Sequence, residues 1–233
     1  MWGRLNDTDW KGTPPTPDQQ IAVSNPPKWE IANPWNTPFF ANTDNFYMTA
    51  VLSRQFLKPY GTKDLFVVRF KAPTYPKTRG GEPVYVERQV RFWSLCSNET
   101  KTTNVIRCVP DDESSINSNG YTTFVVSAPG SKPAPSALKK YSARWVPWGA
   151  LAAPEDVVYD AGQQPWGIGT YTHYYSTLMY RQTLANSSFL QSMANVSQLP
   201  ANEQKTAMGP YWPVSGYCTK ADFEGYGMSC ITR

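Results

Sequence analysis

Short runs of β-branched and aromatic residues recur at close intervals through the middle of this chain. Leu65 to Phe70 reads Leu-Phe-Val-Val-Arg-Phe, and Val90 to Leu95 and Val105 to Val109 have the same character. Tyr121 to Ser127, Tyr-Thr-Thr-Phe-Val-Val-Ser, directly follows Asn119-Gly120, a dipeptide suited to the positive φ values of a tight hairpin turn. Phe46 to Leu52, Val84 to Val86, Arg144 to Trp148, Val157 to Tyr159 and Thr170 to Tyr180 extend the series. Strands at this spacing, divided by Pro and Gly turns, predict a sandwich or barrel rather than alternating βαβ units.

The flanks differ from the middle. Residues 1–45 carry Pro14-Pro15, Pro26-Pro27, Asn33-Pro34-Trp35 and Thr37-Pro38, and each X-Pro imposes extended backbone without a ladder donor. They read as an irregular arm over a core, with Trp10, Trp29 and Trp35 as anchors. After 180, Asn186 or Ser187 is placed to cap a helix whose stripe is Phe189, Leu190, Met193 and Val196. A second helix is expected from Ala201 to Met208, stopped by Gly209-Pro210, before an aromatic tail. The expected organisation is an arm over 1–45, a β-domain over 46–180, and short helices with a tied tail over 181–233 packed on the same domain.

The four cysteines fall as Cys96, Cys108, Cys218 and Cys230, two pairs with the same interval. Two local loops are the economical pairing, so Cys96–Cys108 and Cys218–Cys230 disulfides are expected; buried free thiols are the bland alternative. A zinc site would need closer spacing than either pair has. Disulfides place the chain in the periplasm, on the cell surface or in the medium. Four Asn-x-Ser/Thr sequons, at Asn6, Asn98, Asn186 and Asn195, fit a secreted chain, although short polar loops also generate such triplets. Met1 to Asp9 lacks the charged and apolar regions of a signal peptide, so on this reading an export signal has been removed.

The stretch Asn42-Thr-Asp44-Asn-Phe-Tyr47-Met-Thr-Ala50-Val-Leu52, then Leu65-Phe-Val-Val-Arg69-Phe-Lys-Ala-Pro73, then Arg91-Phe-Trp93-Ser94-Leu95, resembles the paired domains of unknown function in secreted bacterial, notably actinobacterial, β-sandwich proteins. Gly120 to Ser127 and Trp145-Val-Pro147-Trp148 resemble that family's second half. The similarity runs as short patterns over residues 40–160. It implies an exported, mainly β protein with a jelly-roll-like antiparallel β-sandwich, to which the Pro-rich N-terminal arm and short C-terminal helices are added here. It carries no activity and no catalytic residue, and this chain departs from it in its cysteines and in the loop over 97–119.

Other chemistries find little in the sequence. The chain's 233 residues are long enough to bury about 70% of the unfolded surface. Charged residues are only 17% and the mean hydropathy is −0.50, which excludes a disordered or fibrous chain. The net charge of +4 is spread over scattered cations such as Arg88, Arg91, Lys139 and Lys140, with no stripe of the kind nucleic acid selects. No apolar run is long enough to span a membrane. No Gly-x-Ser-x-Gly, Walker or His-Glu-x-x-His motif occurs, and no cofactor is implied. Ser136-Ala-Leu-Lys139 matches Ser-x-x-Lys without a supporting second motif. His173, the sole histidine, lies in a strand-like run. Asp111, Asp112 and Glu113 supply oxygen ligands that calcium could use, but Val126 stands where an EF-hand needs its bidentate Glu, and a solvated loop is the simpler reading.

The aromatics remain, nine Trp and fourteen Tyr among them. A core and an arm consume most. Trp145, Trp148, Trp166, Tyr211 and Trp212 lie beside Pro or Gly and are the candidates for an exposed cluster. The expectation is an exported, non-enzymatic β-sandwich that binds another protein, or itself, as an accessory or structural subunit. The alternatives are a carbohydrate-binding module and a hydrolase using His173 or carboxylates such as Asp44 and Glu87.

Overall fold

Side chains two apart along a strand share a face. In β3 (Leu65–Lys71) both faces are apolar: Phe66, Val68 and Phe70 enter one buried cluster, Leu65 and Val67 another. Such a strand has to be covered on both sides. The computed structural model, which describes residues 27–31, 44–53, 62–99, 104–148, 156–159, 169–172 and 175–232, shows how.

The chain forms a mainly β sandwich. One sheet contains β1 (Glu30–Ile31), β2 (Asn45–Ser53), β10 (Tyr175–Ala185), β4 (Val90–Glu99) and β5 (Val105–Pro110), in that spatial order. The other has the order β11 (Val214–Cys218), β3, β6 (Tyr121–Ser127) and β7 (Ala143–Pro147). The chain passes back and forth between the sheets, which gives the jelly-roll-like character, and β8 (Asp156–Tyr159) pairs with β9 (Gly169–Thr172) as a separate hairpin. One pair departs from the antiparallel rule. β7 runs parallel to β6, because residues 128–142 form a crossover containing α1 (Pro135–Lys140).

Between the sheets lies an aromatic core. Phe70 of β3 meets Tyr180 of β10 at a centroid distance of 4.3 Å and Trp93 of β4 at 5.6 Å. Two of its polar groups are paired: the Trp93 indole N–H donates to Pro73 O at 3.1 Å, and Gln182 Nε2 donates to Tyr180 Oη at 2.9 Å. The Gln182 carbonyl accepts from Met193 N at 2.9 Å, fixing α2 (Met193–Val196) to β10. Trp29, from the arm, is buried and donates to Ser215 Oγ of β11 at 2.9 Å. Trp10 and Trp35 lie outside the described residues.

The second face of the four-stranded sheet is covered by α1, α4 (Lys220–Tyr226) and the 3-10 turn Gly227–Thr232. Phe223 is fully buried there against Leu65, Val67 and Val125. The Cys218–Cys230 disulfide ties this layer to β11, and Cys96–Cys108 joins register partners of β4 and β5, so both expected pairs form. Asn98 is buried on β4, whereas Asn195, at an exposed position, donates from Nδ2 to Phe189 O at 3.0 Å.

Several expectations are corrected. Strands extend past 180: β10 runs to Ala185, and β11 within the tail completes a sheet. Val84 to Val86 is a loop, held by the Glu82–Arg88 ion pair at 2.9 Å, with Tyr85 98% exposed at its tip. The helix expected from Asn186 starts later, because Asn186 Oδ1 accepts from Ser188 N at 2.9 Å in a local turn, and Ser192 caps α2 instead. The second expected helix is α3 (Ala201–Met208), while α1 and α4 carry no strong sequence signal.

The helical layer fits because two positions lack a side chain. A Cβ at Gly216 would lie 2.9 Å from Ile231 Cβ, and one at Gly227, where φ is +60°, would lie 2.5 Å from Tyr141 Cδ1. Tyr141 cannot withdraw, since its hydroxyl donates to Gly225 O and its ring packs on Phe223 at 5.6 Å. Gly227→Ala should therefore lose about 3 kcal/mol in denaturant unfolding, combining overpacking with a disfavoured φ; a change under about 0.5 kcal/mol would refute the close packing. Replacing Cys218 and Cys230 together by Ala should lose about 3 kcal/mol through loop entropy and expose the segment 219–232 to limited proteolysis. Unchanged protease resistance would show that the layer holds without its bridge.

Candidate functional site

β5 and β7 end their respective sheets, and a groove of about 870 Å³ lies between them. Arg107 is two residues from the core residue Val109, and Arg144 two from Val146. Each shares the core-facing side of its strand but reaches solvent where the sheet ends. Lys132 and Lys139, from the β6–β7 crossover, line the same groove, with Glu113 as its one carboxylate among the described residues. Val109, Ile116, Pro135 and Leu138 give it an apolar component.

Trp145 is half-buried in one wall. Its indole N–H donates to Ser127 Oγ at 2.9 Å, and Lys132 Nζ sits 4.6 Å from the ring centroid. Arg107 Nη2 pairs with Glu113 at 2.6 Å. Lys139 and Arg144, both exposed, have no carboxylate partner among the described residues. Exposed guanidinium and ammonium groups beside a clamped ring suit an anion.

The acidic run Asp111–Glu113 combines a buried carboxyl, Asp111, with two that reach solvent. It forms a 3-10 turn in which each carboxylate has a different protein partner. Asp111, only 6% exposed, accepts from Trp93 N at 3.0 Å and Asp112 N at 2.8 Å. Asp112 pairs with Arg79 at 2.6 Å, and Glu113 with Arg107. Among the described residues no group of three His, Cys, Asp or Glu is placed to hold a metal ion.

Of the expected surface aromatics among the described residues, only Trp145 lines the groove. Trp148 is 2% exposed, Tyr211 5% and Trp212 9%, all within the main core, so they form no surface cluster. A neighbouring Pro or Gly constrains backbone, not burial: Tyr211 fills a space beside Phe189, with Gln89 Nε2 donating to its hydroxyl at 2.8 Å. Trp166 and His173 lie outside the described residues. Glu87 borders a second hollow, of about 600 Å³, and accepts from Asn186 Nδ2 at 3.2 Å; Asp44 does not line it. Sequence reasoning missed Arg107, Lys132 and Arg144 and saw Lys139 only as scattered charge and in an unsupported Ser-x-x-Lys match, because the crossover gathers them.

No family model and no curated protein matches the chain. In solved structures it is similar to an uncharacterized protein from Burkholderia cenocepacia, at 11% identity and a TM-score of 0.41. That alignment covers 88% of this chain and 41% of the other, so the chain spans less than half its length. No helix of the described residues is long and apolar enough to cross a membrane.

Burial pushes the Asp111 carboxyl up to about 6, against the pull of its two backbone N–H donors. A folded value above the unfolded one means that stability from this group is fully present below about 3.8 and is lost as pH rises through about 6. Thermal unfolding followed from about pH 5 to about pH 7.5 should show a loss on the order of 1 kcal/mol from this group. Asp111→Asn should flatten that slope; an identical slope in both proteins would contradict the assignment.

Proposed function

We propose that this chain works outside the cytosol as a non-enzymatic accessory or structural subunit, binding another protein at the groove between β5 and β7. The observation that carries the reading is that a clamped Trp145 and Arg144, whose charge no described carboxylate neutralises, line one groove. Interface hot spots concentrate in Trp, Tyr and Arg, large side chains of which the aromatic ones bury area with few rotors to freeze. The paired cysteines support an oxidising compartment. Kinship with the paired domains of unknown function in secreted bacterial β-sandwich proteins belongs to the same proposal. A carbohydrate-binding role has less support, since three of the five aromatics assigned to such a surface are core residues.

Affinity capture from the native extracytoplasmic fraction tests the reading. Arg144→Glu and Trp145→Ala should each reduce retention of a specific partner at least ~10-fold, while the loop variant Tyr85→Ala retains it. Equal retention by all the variants, or loss confined to Tyr85→Ala, would overturn the groove as the contact.

A further inference from the structure

We infer that the groove between β5 and β7 receives an extended acidic peptide segment of the partner, with carboxylates toward Lys139 and Arg144 and apolar residues between them. The inference rests on the proposed function and names the chemistry of its partner. Three observations favour it. Four cations line the groove against the single carboxylate of Glu113, and that carboxylate engages Arg107, leaving Lys132, Lys139 and Arg144 to set the field. Apolar Ile116, Pro135 and Leu138 line the groove together with those cations, Ile116 being 42% exposed, which suits a segment that carries both acidic and apolar residues. Finally, the groove lies where two sheets end, and sheet ends are where extended peptides add to a β protein.

An acidic glycan shares the charge but not the rest. Sugar rings stack on a bare aromatic face, and here Lys132 Nζ occupies one at 4.6 Å while Ser127 holds the indole N–H. To stack on the covered face a sugar would have to displace the ammonium. A peptide carboxylate instead meets that ammonium directly.

The test uses the oxidised full chain in titration calorimetry with three probes of similar length: an alternating Glu-Val peptide, an alternating Lys-Val peptide and oligogalacturonate. The Glu-Val peptide should bind saturably and the Lys-Val peptide should not. Arg144→Gln and Lys139→Gln, at exposed positions where unfolding should stay unchanged, should each weaken binding ~3- to 10-fold. Raising salt from about 50 mM to about 500 mM should weaken it further. Oligogalacturonate binding as tightly as the Glu-Val peptide would overturn the peptide assignment in favour of a glycan. So would Glu-Val binding that neither substitution alters, because the contact would then lie elsewhere. Absence of Glu-Val binding, with partner capture still dependent on Arg144 and Trp145, would overturn this inference alone. Loss of both results would overturn the proposed function as well.

Discussion

A sheet that is apolar on both faces cannot end at one core, and this requirement organises the molecule. β3 sends Phe66, Val68 and Phe70 to the inter-sheet core, and Leu65 and Val67 the other way. Phe124 and Val126 against Val125 in β6, and Val146 against Ala143 in β7, repeat the division. At roughly 25 cal/mol per Å², exposing one such face would forfeit several kcal/mol, comparable to the net stability of a domain. The third layer of α1, α4 and the terminal 3-10 turn is therefore as much a condition of folding as the opposing sheet. This also separates the roles of the two disulfides. Cys96–Cys108 joins strands already paired, whereas Cys218–Cys230 fixes a layer with little regular backbone pairing of its own to the sheet.

The covering requirement also produces the groove. Making β7 parallel to β6 needs a crossover, and the crossover carries α1 over the outer face, where Ala137 is buried. The same segment delivers Lys132 and Lys139 to the mouth between β5 and β7. Cations separated along the chain at 107, 132, 139 and 144 thus share one concavity because an apolar face had to be hidden. Arg107 and Arg144 have alternate neighbours, Val109 and Val146, in the core, which limits how far those two walls can move.

What the sequence discloses follows the same division. Leu65 to Phe70 is legible as a strand because a continuous run of apolar and β-branched residues is the signature of burial on both faces. The turn Asn119-Gly120 is legible because Gly120 adopts φ +78°. Val214-Ser-Gly-Tyr-Cys218 is not legible, since a small polar pair inside it resembles a turn; its Gly216 is required by Ile231, a contact no local pattern announces. Trp148 and Tyr211 mislead for a related reason: flanking Pro and Gly report where the backbone bends, while burial depends on what packs there from elsewhere. Trp145 was placed at an opening, but the cations around it depend on pairings that the sequence does not reveal.

The acidic turn after β5 connects the core to the groove. Asp111 Oδ2 accepts from Trp93 N, in the strand whose indole packs against Phe70, Phe124 and Tyr180. Two residues on, Glu113 engages Arg107 at the mouth of the groove. One end of the turn is thus fixed by a buried backbone contact and the other holds a cation in a wet, partly screened environment. Glu113 occupies Arg107 and leaves Lys132, Lys139 and Arg144 without a described carboxylate, so the groove is most positive away from the Arg107–Glu113 pair. An acidic segment entering there would meet the free charges before the Arg107–Glu113 pair, which gives the groove a direction as well as a sign.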